Sequence, residues 1–558
     1  MALGFAQDLT PVGGVTGSTL IALVPVATLL LLLAGLRLSA WLAVIIGSGV
    51  TFALATGVWG TPTDLAGKAY GIGGLTGLWA VDWIVLWGVV IYNTLVATGS
   101  FEAFKKWLIR QATADVRIQT LLMAWAFGAL LEGLVGFGYP WAVVAPILIA
   151  LGVRDLDAIR VSAIANNAPV SFGALGAPII GLSAVTGLSL QELTTTIGRI
   201  VAVLALLPPF ILILLVSGRR GLRDGWPLAI VASLGYIAGQ FPVTQLTGPY
   251  LPDITGSLTA FAALLIFTRF WRPAVMLGFG GVELSPEQVA GVQQRATDEP
   301  SPERVAPATP DAAYRGSSYR TADVWRGIIP FLILVGVVVA WTGPWSGLTK
   351  WVPFAPAVKG TGSLTGKAVS AEFKFAPLIA GTSIFASWLL ICAYLRPTVR
   401  QLRGVFADTF HQMWGAFVVG FVIFGLATVF NFSGMANSMA NGFSKIGTAY
   451  IVVAPLLGWI AVALSGSNTS SNAIFGQFQF SVGRLLGFPV PLLPSLNSVG
   501  AEVGKPVAPQ TASVGVSTTG YVRNEGEVIR YNMPWTLVIL VYLICIGIAY
   551  YFLAPGAV

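Results

Sequence analysis

Apolar stretches about as long as a bilayer is thick recur along the whole chain, the first at Thr19–Gly35 and the last at Pro534–Leu553. A helix needs about 20 mostly apolar residues to cross the hydrocarbon core of a membrane. Only 10% of the 558 residues are charged, whereas a soluble domain carries about 25%. The sequence therefore predicts an all-α polytopic membrane protein, with the lipid bilayer as its surroundings.

Basic residues concentrate in short loops between the apolar stretches, among them "KKWLIR" (105–110), "RRGLR" (219–223) and "RPTVRQLR" (396–403). Short loops rich in Lys and Arg stay in the cytoplasm. All such loops fit on one side only if residues 118–152 and 447–485 form hairpins that enter and leave the membrane on the same face. The pattern predicts about 12 transmembrane helices plus two re-entrant hairpins, one from each face, with both termini outside.

A hydrophilic segment, residues 277–323, separates two apolar regions of comparable size. It includes "SPERVAPATPDAAYRGSSYR" (301–320), which is rich in Pro, Ala, Glu and Arg and has no apolar period. Such a composition cannot bury enough apolar surface to fold. We expect an N-terminal membrane half at residues 1–276, a disordered cytoplasmic linker at 277–323 and a C-terminal membrane half at 324–558.

The two halves share a pair of polar interruptions in the same order. "LEGLVGFGYP" (131–140) precedes "NNAPVSFGALGAP" (166–178), and "LSGSNTSSNAIFG" (464–476) precedes "NSVGAEVGKPVAP" (497–509). Non-helical backbone is tolerated at membrane depth only where it is buried or lines a cavity. Broken helices in inverted repeats form the substrate sites of secondary transporters. We therefore predict an inverted repeat of two halves, each with one hairpin and one broken helix, around a central site.

Short polar side chains at these interruptions are candidate substrate contacts, although each could instead cap a broken helix end. Lys505 is the best cation for a substrate carboxylate, or it could pair with Glu502 at helical spacing. Glycines allow close approach to the backbone. The candidate substrate-binding residues are Gly133, Asn166, Asn167, Ser171, Ser467, Asn468, Ser470, Ser471, Asn472, Asn497, Lys505 and Gln510.

Three acids in apolar surroundings, Glu132, Glu502 and Asp82, are candidates for proton coupling. A charged acid at the centre of a bilayer costs about 2.5–3.5 kcal/mol on insertion scales, and protonation removes most of that cost. Glu132 could instead be a neutral acid that caps the hairpin tip. Asp82 could instead face the outer surface beside Trp83.

At these same residues the sequence resembles the lactate permease family, the bacterial 2-hydroxymonocarboxylate:proton symporters. The resemblance implies uptake of L-lactate, often with D-lactate and glycolate, coupled to protons across the bacterial inner membrane. The matching stretches are "LEGLVGFGYP" (131–140), "NNAPVSFGALGAPI" (166–179), "WPLAIVA" (226–232), "LPDI" (251–254), "SGSNTSSNAIF" (465–475) and "GKPVAPQ" (504–510).

The chain departs from the family pattern in where it carries acids. Some members have Asp at the position of Asn468 and a small apolar residue at that of Glu502, and an acid often stands where Ala376 follows "FKF" (373–375). The identity of the proton carrier therefore does not follow from the resemblance.

Other functional classes fit the sequence less well. The chain has one histidine, His411, which excludes HExxH and multi-histidine metal sites, and no GxxxxGK[ST] motif for ATP is present. We expect no enzymatic activity, no cofactor, no metal and no nucleic-acid partner. A channel remains an alternative. So does a sodium-coupled transporter of another small carboxylate, since "SGSNTSSN" (465–472) could supply oxygen ligands. The preferred hydroxy acid, the proton stoichiometry and the oligomeric state are left open.

Overall fold

The computed structural model describes residues 5–289 apart from 37, 112 and 137, and then 321–362, 368–519 and 524–557. In the described part of the chain, the helices are joined by turns and loops, and the one sheet is an antiparallel pair of strands, β1 (Ala357–Thr361) and β2 (Ala368–Glu372). Most of the predicted linker, residues 290–320, lies outside the described residues.

The N-terminal half contains thirteen described helices. Short π-helical turns continue three of them, at Leu31–Gly35, Gly77–Asp82 and Leu121–Phe127. The helices are α1 (Gly14–Leu30), α2 (Ala40–Gly57), α3 (Thr63–Thr76), α4 (Trp83–Ala97), α5 (Ser100–Gln111), α6 (Val116–Thr120), α7 (Gly128–Leu134), α8 (Tyr139–Ala150), α9 (Asp155–Ala165), α10 (Gly173–Thr186), α11 (Leu190–Leu204), α12 (Pro208–Leu246) and α13 (Pro252–Phe270).

The C-terminal half adds nine described helices and two short 3₁₀ turns that matter below, Ser444–Ala449 and Lys505–Val507. The helices are α14 (Thr321–Thr342), α15 (Ala380–Leu395), α16 (Val399–Ser433), α17 (Met435–Phe443), α18 (Tyr450–Ser465), α19 (Asn468–Leu486), α20 (Leu492–Gly504), α21 (Pro509–Ser517) and α22 (Glu525–Leu553).

Within the described residues, nine helical segments are long and apolar enough to cross a membrane, or ten if a bent pair counts as one span. The predicted class of polytopic α-helical membrane protein is confirmed, but the count of about 12 is not. One reason is that two predicted spans, 197–216 and 226–240, fall within a single continuous stretch, Leu190–Leu246. Its backbone turns at Gly218, where φ is 67°, beside the basic loop "RRGLR".

The first predicted hairpin is formed by α6 and α7 on one arm and α8 on the other. Its tip contains Gly136 and Gly138 in the left-handed region, with φ of 68° and 78°. Glycine is favoured in that region because the residue has no Cβ. The arms run side by side, since a Cβ on Gly128 would lie 3.9 Å from Val144 Cγ2.

The second predicted hairpin is formed by α18 and α19. Gly466, with φ of 73°, ends α18 and starts the turn. The arms are antiparallel, because the Tyr450 hydroxyl at the start of α18 donates a 2.9 Å hydrogen bond to Gln479 in the middle of α19. Gln479 in turn donates to the Ala454 carbonyl.

A broken helix follows each hairpin, as the repeat predicts. In the first half, α9 and the segment Val170–Thr186 are bent by 67° across a break after Ala165. In the second half, α20 ends at Gly504, the 3₁₀ turn Lys505–Val507 follows, and α21 begins at Pro509. The order of hairpin and broken helix is therefore the same in both halves.

Residues 277–289, predicted as the start of a disordered linker, instead begin in contact with the N-terminal half. The backbone N–H of Leu277 donates to Asp115, and the Leu277 carbonyl accepts from Val116. Asp115 also forms a buried 2.6 Å ion pair with Arg117. The composition of the segment does not reveal these bonds to the backbone, and the boundaries of the two halves stay a prediction.

Candidate functional site

A cavity of about 440 Å³ lies where the two hairpin tips meet the two broken helices. The first half contributes Glu132 and Gly136 from its hairpin and Ala174 and Ala177 from its broken helix. From the second half come the first turns of α19 and α21, including Asn468. Helix N-termini carry partial positive charge and free N–H groups, so these two turns favour an anion in the cavity.

A buried ion pair joins the two halves at the wall of this cavity. The Lys505 ammonium donates to Glu132 Oε1 at 2.5 Å, and Asn166 Nδ2 donates to Glu132 Oε2 at 3.0 Å. Glu132 is 1% exposed and Lys505 is 4% exposed. The pairing of Lys505 with Glu502, considered from the sequence, is wrong, because Lys505 starts a 3₁₀ turn and its side chain reaches the first hairpin.

The turn that carries Lys505 is held in place by two side chains. Thr511 Oγ1 donates to the Lys505 carbonyl at 2.7 Å, and Asn532 Nδ2 donates to the Pro506 carbonyl at 2.8 Å. Carbonyls at a broken helix end lack helical hydrogen-bond partners, and these two side chains supply the missing donors. The backbone from which the Lys505 side chain extends is thereby held beside the cavity wall.

Glu502 lies outside the cavity lining and connects the two broken helices. The backbone N–H of Ser171 donates to Glu502 Oε2 at 3.0 Å. In the part of the chain that the structure describes, Glu502 Oε1 has no hydrogen-bond partner. Glu502 therefore bonds to the break of the first half while the cavity cation belongs to Glu132.

An amide network behind the second hairpin tip holds the hairpin to both broken helices. Asn472 Nδ2 donates to the Pro178 carbonyl and to Ser498 Oγ, both at 3.0 Å. Asn497 Nδ2 donates to Asn472 Oδ1 at 3.1 Å, and Asn468 Nδ2 donates to the Ser498 carbonyl at 3.1 Å. Asn472 thus joins the second hairpin to both broken helices, and Asn497 adds a bond from the second of them.

The cavity divides the predicted site residues into two groups. Some line it and others pack behind its wall. The lining group is Asp82, Glu132, Ser467, Asn468, Ser470, Lys505 and Gln510. The group behind the wall is Gly133, Asn166, Asn167, Ser171, Ser471, Asn472, Asn497 and Glu502.

Asp82 reaches the cavity from the π-helical turn that precedes α4. It is 6% exposed, and its carboxylate lies against Gly420 of α16, where an added Cβ would be 2.1 Å from Asp82 Oδ2. The alternative in which Asp82 faces the outer surface is wrong, because the carboxylate is buried against α16. The glycine at position 420 leaves room for it there.

Backbone strain marks the first broken helix where it borders the cavity. Ala174 and Leu175 have φ of 46° and 58°, followed by Gly176 at 82°. Such conformations cost roughly 1–3 kcal/mol per non-glycine residue and persist only where the surroundings impose them. The strained turn lies close to the hairpin tip, since a Cβ on Gly136 would be 3.2 Å from the Ala174 Cβ.

Sequence reasoning missed two groups beside the site, Asp253 and Tyr236. Asp253 is buried at the start of α13 and accepts a 2.8 Å hydrogen bond from the Tyr236 hydroxyl. An acid at the start of an apolar helix, within "LPDI" (251–254), was the available signal. The bond to Tyr236 joins two different helices and could not be read from spacing.

Replacing Gly173 with alanine is expected to disturb the ion pair. A Cβ at position 173 would lie 2.6 Å from Glu132 Oε1, the oxygen that binds Lys505. The backbone of Gly173 has φ of −59°, which alanine adopts without strain. Any effect of the substitution therefore comes from the contact between the new methyl group and Glu132. We expect the apparent substrate affinity in an uptake assay to fall about tenfold, or about 1.4 kcal/mol.

Gly71→Ala is the matched control, because Gly71 is helical and nothing lies within 4 Å of an added Cβ. Equal uptake by the Gly173→Ala and Gly71→Ala variants would show that the carboxylate position does not matter.

Two hairpins and two broken helices around a cavity with a buried cation form the arrangement of a secondary transporter, in which discontinuous helices present charge to a small substrate. The fold and the site thus define the class of membrane permeases. More specifically, the chain belongs to the L-lactate permease family, whose sequence profile matches residues 18–555.

Characterised permeases resemble the chain over nearly its whole length. The glycolate permease GlcA of Escherichia coli (strain K12) is 34% identical over 557 residues, 96% of each chain. The L-lactate permeases of Bacillus subtilis (strain 168) and E. coli K12 are each 30% identical, covering 97% and 95% of both chains respectively.

Among solved structures, MtrF of Neisseria gonorrhoeae, described with a class of antimetabolite efflux pumps, superposes with a TM-score of 0.47. It is 12% identical over 88% of this chain and 85% of that chain. This similarity is too low to inform the site.

Proposed function

We propose that the protein is a secondary active transporter that imports L-lactate, with D-lactate or glycolate as further substrates, by proton symport. The observation that carries the proposal is the Glu132–Lys505 ion pair in the wall of a central cavity. The relatives named as lactate and glycolate permeases support a small 2-hydroxymonocarboxylate as substrate.

Glu132 and the substrate carboxylate compete for Lys505 in this proposal. An anion that displaced Glu132 would leave a buried carboxylate without its cation, and breaking a buried pair in this way costs about 3–5 kcal/mol. Protonation of Glu132 removes that charge. Proton binding and anion binding therefore favour one another, which is the linkage that symport requires.

The charges of the empty and loaded states support a ratio of one proton to one anion. In the empty state Glu132 is negative and Lys505 is positive. In the loaded state Glu132 is neutral, and Lys505 pairs with the bound anion. Counting Glu132, Lys505 and the anion, both states are neutral, so neither adds an uncompensated charge to the moving site.

The other lining residues are proposed to recognise the rest of the substrate. Ser467, Ser470, Asn468 and Gln510 offer hydroxyl and amide groups to the 2-hydroxyl and the carboxylate. The remaining lining includes Val85, Val170, Phe424 and Ile474, which suit a short alkyl group. Asp82 is proposed as a second proton-binding group of the cavity.

Uptake of labelled L-lactate into proteoliposomes tests the proposal. We expect saturable uptake that rises when an inward proton gradient is imposed and is unchanged when choline replaces sodium. Uptake that follows a sodium gradient and ignores a proton gradient would assign the protein to the sodium-coupled class instead. Non-saturating flux would indicate a channel.

Location in the bacterial inner membrane, with both termini outside, is proposed from the distribution of basic loops. In this arrangement the membrane halves 1–276 and 324–558 are joined on the cytoplasmic side by 277–323. Single cysteines, introduced after replacing Cys392 and Cys545, test it. A cysteine at Arg223 should resist an impermeant maleimide in intact cells, and one at Pro555 should react.

A further inference from the structure

Asp253 is a buried acid that the transport scheme above does not use. It lies in the first turn of α13 and is 1% exposed. The Tyr236 hydroxyl on α12 donates to Asp253 Oδ1 at 2.8 Å. In the described part of the chain, Asp253 Oδ2 has no hydrogen-bond partner, and an ionised oxygen buried in that state is unfavourable.

The acid lies directly against the helix that carries Glu132. A Cβ on Gly133 would be 2.7 Å from the Asp253 Cβ, so the glycine allows α13 to approach α7 at this point. Glu132 lines the cavity, whereas Asp253 does not. Position 133, expected from the sequence to face substrate, therefore separates the cavity acid from a second acid behind it.

Besides Tyr236, three ionisable side chains interact electrostatically with Asp253: Glu132, Glu502 and Lys505. Tyr236 lies on α12 and Glu132 on α7, while Glu502 and Lys505 belong to the second broken helix. The Lys505 ammonium is bonded to Glu132, and within the described residues no ion pair joins it to Asp253 or Glu502. Burying uncompensated negative charge is costly, so a proton on Asp253 would lower the cost of this arrangement.

We propose that Asp253 is a further proton site, in series with Glu132 and, unlike Asp82, separate from the substrate cavity. This rests on the proposed role of Glu132 in proton symport. The proton leaves the Asp253 carboxyl and is taken up by the Glu132 carboxylate. The Tyr236 hydroxyl then stabilises the Asp253 carboxylate that remains, since hydrogen bonds to a charged acceptor are the stronger kind.

The position of Asp253 along the chain gives this site a direction. It follows the short connection between α12 and α13, residues 247–251. In the proposed orientation this connection faces the outside of the cell. Protons then reach Glu132 from behind α7, and substrate reaches Lys505 through the cavity.

Asp253→Asn and Tyr236→Phe test the proposal in proteoliposomes with two assays. Lactate counterflow at equal pH needs substrate exchange only, and gradient-driven uptake needs net proton transfer. We expect each variant to keep counterflow within about twofold of the wild type and to lose driven uptake about tenfold or more. Tyr542→Phe is the control, because its hydroxyl donates only to the Val203 carbonyl.

Driven uptake at the wild-type rate in both variants, with normal counterflow, would overturn the proton site at Asp253 and leave the role of Glu132 standing. If Asp253→Asn does not fold, the Tyr236→Phe variant alone tests the proposal. We expect its driven uptake to depend on external pH differently from that of the wild type. Failure of the Glu132 role would appear separately, as normal driven uptake in a Glu132→Gln variant.

Discussion

Glu132→Gln is expected to abolish lactate uptake driven by a proton gradient while lactate counterflow persists. The amide cannot take up a proton, so binding of the anion is no longer linked to protonation. It also frees Lys505 from its buried carboxylate partner, which leaves the cation available to substrate at every pH. The measurement is labelled L-lactate uptake with and without an inward proton gradient, beside counterflow at equal pH.

Glu192→Gln is the matched control, since Glu192 is exposed in the first turn of α11. Wild-type driven uptake in the Glu132→Gln variant would remove Glu132 from the coupling role. Loss of counterflow together with driven uptake would mean that the carboxylate is needed for substrate exchange itself.

Lys505→Ala is expected to lower the affinity for lactate by a factor of about 30 to several thousand. Removing one partner of a buried, hydrogen-bonded charge pair costs about 2–5 kcal/mol, and each 1.4 kcal/mol is a factor of ten in the dissociation constant. The change in the dissociation constant is measured by isothermal titration calorimetry of the purified protein with lactate.

Lys445→Ala is the control for this variant, because Lys445 lies exposed in the 3₁₀ turn Ser444–Ala449. The double variant Glu132→Gln/Lys505→Met separates binding from folding. It buries no unpaired charge, so its thermal stability should exceed that of Lys505→Ala, although neither binds lactate well. Unchanged affinity in Lys505→Ala would assign the carboxylate contact to the helix N-termini.

Much of the site's framework could be predicted because broken helices need particular residues. A turn at membrane depth needs glycine for left-handed backbone, as at Gly136 and Gly466, and polar side chains for the freed backbone groups. Both requirements appear in the sequence as "LEGLVGFGYP" and "LSGSNTSSNAIFG". The hairpins and broken helices therefore occur where the pattern placed them.

The pairing of the charged groups could not be predicted in the same way. Glu132 and Lys505 are separated by 373 positions, whereas the spacing of Glu502 and Lys505 pointed to a local pair. Sequence spacing reports neighbours on one helix, and it is blind to contacts between different halves of the chain. Asp253 was missed for the same reason, because its partner Tyr236 lies on another helix.

The count of membrane spans was less predictable than the class. Apolar length marks a crossing only when each helix ends where the apolar run ends. Here Leu190–Leu246 joins two predicted spans, and α15, Ala380–Leu395, is shorter than the bilayer core. Such features depend on packing against neighbouring helices.

The most direct test of the competition for Lys505 is to count protons when lactate binds. Purified protein in a weakly buffered solution is mixed with lactate, and a pH indicator reports the protons taken up for each anion bound. We predict uptake of about one proton per lactate in the wild type and none in Glu132→Gln. Lactate binding to the wild type without proton uptake, or equal uptake in both proteins, would contradict the account.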